Sequence, residues 1–338
     1  MRPASSWWPA ALLAVAGLIA GCTNGATAPP PSAGPTTSTL ATLAPLRAPA
    51  GRLVYSLRDA KGVHLWVADS DGRNRRQLTK GGGTDFDPHF SPDGRQVLFR
   101  TSRGRYAKDY EQTGTEGIFV INADGSGERQ LFPPAAGMRG GLFANWAPDG
   151  RRVALSTVLD AGGGLPRTAS QRSPARSAAG ETIVVVDLHG RILRDLHSFG
   201  ECSAFSPDGR RILFCSHRTG PWQAWVMRAD GSGQSQVSRG PGDTYSAAWS
   251  PDGTQVVYGS GTAGIRVARP DGSGEHRVPL PVPGAAAGWW PDGRILFSWE
   301  DNKLPPTHWG LVRPDGSGAG RLPVLDAAGE VDFHPAPG

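Results

Sequence analysis

Only four lysines occur in the 338 residues, against thirty-one arginines, and charged residues amount to 19%. Many of those arginines fall singly in short turns (Arg95, Arg151, Arg210, Arg294) and do not gather into a stripe. A net charge of +5 spread this way lacks the footprint of a nucleic-acid binder. Three cysteines are too few for a disulfide scaffold. The apolar stretch from Ala10 to Ala20 is too short to span a bilayer as a helix. No G-x-S-x-G, H-E-x-x-H, Walker or C-x-x-C motif occurs, and the eight histidines have no metal-ligand spacing, so no cofactor or catalytic centre is expected. With 47 glycines and 30 prolines, long helices are excluded as well.

What remains is enough to fold. Hydrophobic residues make up 38%, and 11 Trp and 11 Phe can fill a core. Arg2 and the following apolar stretch read as an export signal over 1–21. Ile19-Ala20-Gly21-Cys22 then resembles a bacterial lipobox, which implies that Cys22 is lipidated and that the protein is tethered outside the cytoplasm. The tether would lie on the outer face of the plasma membrane, or in the outer membrane of a two-membrane envelope. Residues 22–50, rich in Pro, Thr and Ala with almost no charge, form the expected disordered tether.

From residue 51 a repeat appears: Phe90-Ser91-Pro92-Asp93-Gly94, Trp146-Ala147-Pro148-Asp149-Gly150, Phe205-Ser206-Pro207-Asp208-Gly209, Trp249-Ser250-Pro251-Asp252-Gly253 and Trp290-Pro291-Asp292-Gly293. Between apolar runs, P-D-G is a hairpin, because Pro fixes φ and Gly supplies a positive one. A second turn, Asp-Gly at 71, 124, 230, 271 and 315, alternates with the first, and Leu188-His189-Gly190 replaces it in one unit. Each repeat therefore has four strands, A to D. The turn prolines recur at intervals as short as 44 and 40 residues, the roughly 40 to 45 of a propeller blade. The chain enters at a B strand (Leu53 to Ser56) and ends in an A-like segment (Val331 to Phe333). The expectation is an all-β, six-bladed β-propeller of four-stranded antiparallel blades over 51–338, closed by that C-terminal strand on the N-terminal blade.

These units resemble the repeats of TolB-type six-bladed propellers. The resemblance implies an envelope protein-interaction scaffold. It assigns no chemistry, because a fold hosts many activities. The same propeller type precedes the hydrolase domain of prolyl-oligopeptidase-like enzymes, and the chain is expected to carry no such domain.

Alternation of A to D sends all the short turns to one face and the B-to-C and D-to-A loops to the other. Loop 102–116 mixes charge with aromatics, as interfaces do, and Arg103, Arg105, Tyr106, Lys108 and Tyr110 are its recognition candidates. Arg139, Arg239 and Tyr245 are expected in other loops of that face. The carboxylates Asp87, Glu201, Asp243 and Glu330, with Asp85 and Asp332, fall near the starts of A strands. They are candidates for a cation site in the channel, although charges paired with neighbouring Arg explain them as well. Cys202 and Cys215 flank the turn at 208–209 symmetrically. A two-residue turn would let them form a disulfide, and a three-residue turn would set them on opposite faces. Trp66, Trp146, Trp249 and Trp290 are expected to pack between blades. Trp289 and Trp299 fit no repeat position and are the candidates for a glycan or small-ligand shelf.

The function expected from these observations is a membrane-anchored, monomeric, non-catalytic scaffold that binds another envelope protein. Ligand binding at the channel mouth is the alternative, and a metal-dependent propeller enzyme the third reading.

Overall fold

The computed structural model describes residues 43–103, 117–131, 138–159, 181–240, 242–260, 264–300 and 307–336. Among them, β-strands and one 3₁₀ turn (Pro323–Leu325) are the regular elements. The first unit holds β1 (Gly51–Asp59), β2 (Gly62–Asp69) and β3 (Arg76–Gln77), and the second β4 (Gly83–Phe90), β5 (Gln96–Thr101), β6 (Gly117–Asn122) and β7 (Arg129–Gln130). The third is β8 (Met138–Trp146), β9 (Arg152–Leu159), β10 (Glu181–Asp187) and β11 (Ile192–Asp195). The fourth is β12 (Glu201–Phe205), β13 (Arg211–Ser216), β14 (Gln223–Arg228) and β15 (Ser235–Gln236). Next come β16 (Thr244–Trp249), β17 (Val256–Ser260), β18 (Gly264–Ala268) and β19 (His276–Arg277), then β20 (Ala285–Trp289), β21 (Ile295–Glu300), β22 (Thr307–Val312) and β23 (Gly320–Arg321), and finally β24 (Val331–Pro335).

Four of the five sheets are four-stranded, and the fifth is two such groups joined by a two-residue parallel bridge at Gly62↔Gly83 and Val63↔Thr84. Within each group the pairing is antiparallel and sequential. β24 supplies the inner strand of the first group, pairing with β1 from Gly51↔Pro335 to Tyr55↔Val331.

The turn chemistry explains the hairpins. Ser91, Ser206 and Ser250 each donate a hydroxyl to the aspartate two residues on, at 2.5–2.6 Å, and accept the N–H of the residue five positions on from themselves, at 2.9 Å. The glycine that follows, such as Gly253 at φ +70°, closes the turn where a Cβ would be strained. In the last turn Trp289↔Ile295 replaces the spacing of Trp249↔Val256, so the turn is one residue shorter and Trp290 takes the serine position. Trp289 therefore holds the repeat aromatic position that the sequence pattern assigns to Trp290. The reason is that the W-W pair satisfies the pattern in two registers and pairing selects one.

Strands such as β13 and β21 are buried along nearly their whole length, because each central sheet is covered on both faces by its neighbours. Six hydrophobic clusters lie among the described residues, five joining successive groups and one joining the first with the last; one of the five holds Leu98 and Val120 with Trp146 and Val153, and the sixth holds Leu53 and Tyr55 with Trp290 and Leu311. A fully buried aliphatic side chain here stabilises by about 1.5–3 kcal/mol. Inner strands are also stitched directly: Trp146 Nε1 donates to His89 O (3.1 Å), Asn145 to Ser203 O (3.1 Å), Trp249 Nε1 to Ala204 O (3.2 Å) and Trp289 Nε1 to Ala248 O (3.2 Å). Trp290 stacks on Phe333 of β24 with centroids 4.3 Å apart, and Asp332 of β24 accepts the Phe90 N–H of β4 at 2.7 Å.

Residues 43–50, at the end of the expected tether, lie along β23. Leu46 N–H donates to Arg321 O (2.7 Å) and Arg321 N–H to Ala44 O (3.0 Å), which pairs an otherwise open sheet edge. Residues 1–42, with Cys22, lie outside the described residues. No helix among the described residues is long and apolar enough to cross a membrane.

Candidate functional site

Five of the six A–B hairpins carry a register shift on the inner strand, between Phe86/His89, Met138/Phe143, Glu201/Ala204, Thr244/Ser246 and Ala286/Gly288. A bulge re-aims side chains at a sheet rim. Asp87 (φ +53°) and Cys202 (φ +55°) sit at equivalent bulge positions, counted from their turn prolines.

Around Asp87 the bulge gathers charge. Its carboxylate faces the Arg100 guanidinium (Nε–Oδ2, 3.2 Å) and the His89 ring (Nε2–Oδ1, 3.2 Å), and its N–H donates to Glu330 Oε2 of β24 at 2.7 Å. The Arg100 Cζ lies over both the Phe86 and Phe143 rings, 4.5 and 4.6 Å from their centroids. Each of these carboxylates keeps partial solvent contact while the strands enclose it. Burial opposes the Asp87 charge, but Arg100 and His89 outweigh it and hold its carboxyl below the usual range. Burial also opposes protonation of His89, yet Asp87, Asp332 and Glu330 together raise its pKa. Burial and the Asp87 charge push Glu330 up, and burial pushes Asp332 up.

Of the channel carboxylates read from sequence, Asp87 and Glu330 therefore meet, with Asp332 accepting nearby from Phe90. Asp243 instead accepts the Trp222 N–H at 2.7 Å, and Glu201 pairs with Cys215 along β12 and β13. Among the described residues, no group of three His, Cys, Asp or Glu side chains is arranged to hold a metal ion. His89 and Arg100 belong to this cluster and carry no motif that would single them out in sequence.

Cys202 and Cys215 are not joined by a disulfide. Neither turn expected from the sequence describes them. Phe205↔Ile212 and Ala204↔Leu213 keep the register that would oppose the two cysteines, and the bulge then shifts it so that Cys215 faces Glu201. The thiols still touch, and that hydrogen bond, together with burial, pushes the Cys202 thiol well up.

On the loop face, Arg103 is engaged inside the molecule. Its Nε donates to Asp85 Oδ1 at 2.6 Å, Nη1 to Lys80 O at 2.9 Å and Nη2 to Glu128 Oε1 at 3.0 Å. Asp85 is fully buried and also faces His64, so Arg103 neutralises a buried carboxylate. Arg105, Tyr106, Lys108 and Tyr110 lie outside the described residues. Arg139 and Tyr245 belong to β8 and β16, not to loops, because those inner strands begin earlier than the apolar pattern indicates; their side chains are outside the described residues. Arg239 is exposed beyond β15. Trp289 packs as described, and Trp299 is 3% exposed and stacked on Phe297 at 5.3 Å, so neither indole forms an open shelf.

No family model matches the chain. It is 29% identical over 293 residues to the Tol-Pal system protein TolB of Gluconobacter oxydans, an alignment covering 83% of this chain and 55% of that protein. Its fold resembles the crystal structure of TolB from Acinetobacter baumannii, with TM-score 0.61 at 16% identity, covering 85% of this chain and 67% of that one. It also resembles oligogalacturonate lyase from Vibrio parahaemolyticus, with TM-score 0.53 at 14% identity, covering 80% of this chain and 74% of that one. The chain spans about half the length of the curated relatives it matches.

Proposed function

We propose that this chain, a TolB-like propeller, is an extracytoplasmic lipoprotein anchored through Cys22, whose six four-stranded blades, closed by β24 on β1, form a non-catalytic protein-interaction scaffold in the cell envelope. The observation that carries the reading is the asymmetry between the faces. The P-D-G turns are short, near-identical and stapled by their own aspartates, while the connections β5 to β6 and β9 to β10 carry the extra length and diversity. Binding surfaces of rigid β scaffolds are built from such loops. The curated relative's place in a Tol-Pal system supports an envelope location. A glycan shelf on Trp289 and Trp299 loses its support, since both indoles are spent on packing between strands.

Photo-reactive side chains placed across 104–110 should capture a defined envelope protein in intact cells. The combined substitution Tyr106→Ala, Lys108→Ala and Tyr110→Ala should abolish that capture without lowering the melting temperature. Undiminished capture by the triple variant would reject the patch. Metabolic labelling with a fatty acid should mark the wild-type chain and not Cys22→Ala; equal labelling of both would reject the anchor.

A further inference from the structure

Arg103 has a register equivalent two units along. Counted from the turn proline, Arg218 follows β13 as Arg103 follows β5, and Gln234 follows its D-G-S-G turn as Glu128 follows the earlier one. The two guanidiniums take the same route across their sheets, Arg103 over Phe99 (5.8 Å) and Arg218 over Phe214 (5.0 Å) and Trp225 (4.9 Å). Their partners differ in charge. Arg103 meets two carboxylates, Asp85 and Glu128. At Arg218 the place of Asp85 is taken by Gly200 and that of Glu128 by Gln234. Its Nε donates to Ser216 Oγ (3.0 Å), Nη2 to Ser198 Oγ and to Phe199 O (2.8 Å each), and Nη1 to Gln234 Oε1, all of them neutral acceptors. One Nη1 proton is left over.

The cost of that arrangement is visible. Burial with no compensating anion lowers the Arg218 pKa to about 10, whereas at Arg103 burial also opposes the charge but its two carboxylates raise the pKa. A partly buried cation held in place by neutral groups is a preorganised anion receptor, because binding does not have to order the side chain first. Phe199, whose carbonyl Arg218 holds, also meets the exposed His217 ring edge-on (4.5 Å), and His217 in turn meets the half-buried Trp222 (4.6 Å). Trp222 is fixed in turn, since its N–H donates to Asp243. A planar guanidinium beside aromatic rings suits a carboxylate flanked by apolar side chains.

We propose that Arg218, His217 and Trp222 form a receptor for a carboxylate side chain presented by an acidic peptide segment of a partner protein. The proposal rests on the scaffold reading above and gives it a second contact point, in the connection between β13 and β14.

The test uses the full chain and the probe peptide acetyl-Phe-Glu-Phe-amide, with acetyl-Phe-Gln-Phe-amide as its uncharged twin, followed by calorimetry. The Glu peptide should bind at least tenfold tighter than the Gln peptide. Gln234→Glu supplies one of the two carboxylates of the Arg103 arrangement with an isosteric side chain, and it should weaken the Glu peptide at least tenfold without lowering the melting temperature. Trp222→Ala should weaken both peptides. Equal affinity for the two peptides, or binding unchanged by Gln234→Glu, overturns the proposal. Sulfate binding that is sensitive to Gln234→Glu, with no binding of the Glu peptide, overturns the carboxylate assignment. Loss of peptide binding with intact crosslinking at 104–110 rejects this site alone. Peptide binding without any crosslinked envelope partner rejects the scaffold reading and leaves the site standing.

Discussion

Ser250 serves its turn twice, donating to Asp252 and accepting from the Gln255 N–H, so its removal leaves the Gln255 N–H without that acceptor, while Asp252 keeps its hydrogen bonds from Thr254. Ser250→Ala should cost about 1 kcal/mol, a drop of about 2–4 °C in a thermal melt. Ala147 stands at the same place in the third unit, so a loss of folding in Ser250→Ala would contradict the staple account. Trp249→Phe should be mild, since Phe90 and Phe205 fill that position elsewhere, whereas Trp249→Ala should cost about 3–5 kcal/mol by opening a cavity between sheets. Denaturant titration of both variants checks the contrast, and equal losses would contradict it. The turns are readable in the sequence because each is a local device of Pro, Asp and Gly. The assignment of Trp290 to the repeat position shows the limit of such reading: two adjacent tryptophans are chemically alike, and only cross-strand pairing tells which one reaches back to the preceding carbonyl.

Inner strands are less legible than turns. Their bulges carry no reliable residue signal; positive φ falls on Asp87 and Cys202, which are not turn glycines, and the shifts undo any register extrapolated from the hairpin. A symmetric count around 208–209 therefore does not decide how the cysteines face, and nothing in the sequence groups His89 and Arg100 with the carboxylates. The β24–β4 seam has a pH dependence with a definite sign. His89, Glu330 and Asp332 have folded pKa values raised above their unfolded ones, so the stability they contribute is present at low pH and is lost as pH rises through those folded values. Asp87 acts oppositely, its contribution being lost as pH falls through its lowered value. The melting temperature should therefore decline as pH rises through and above the ordinary histidine range, and His89→Gln should flatten that decline. A melting temperature that rises over the same range would contradict the assignment.

At the scale of the whole molecule, the all-β architecture is legible because repeated groups of four antiparallel strands leave few ways to bury both faces of every sheet. The loop face was legible only as length and composition; the residues at 104–110 lie outside the described structure, and the Arg218 receptor emerged from comparing two equivalent positions in three dimensions. In the proposed ring the first and last sheets are neighbours, which makes the pairing of β24 with β1 the claim on which the sorting of loops depends. Amide hydrogen exchange tests it directly. Ser56 N–H donates to Glu330 O at 3.0 Å, and Val331 to Phe333 lie in register with Tyr55 to Leu53. The Ser56 amide and those β24 amides that point at β1 should exchange as slowly as those of the central strand β17, through global unfolding only. Rapid local exchange of those amides, while β17 stays protected, would contradict the closed ring.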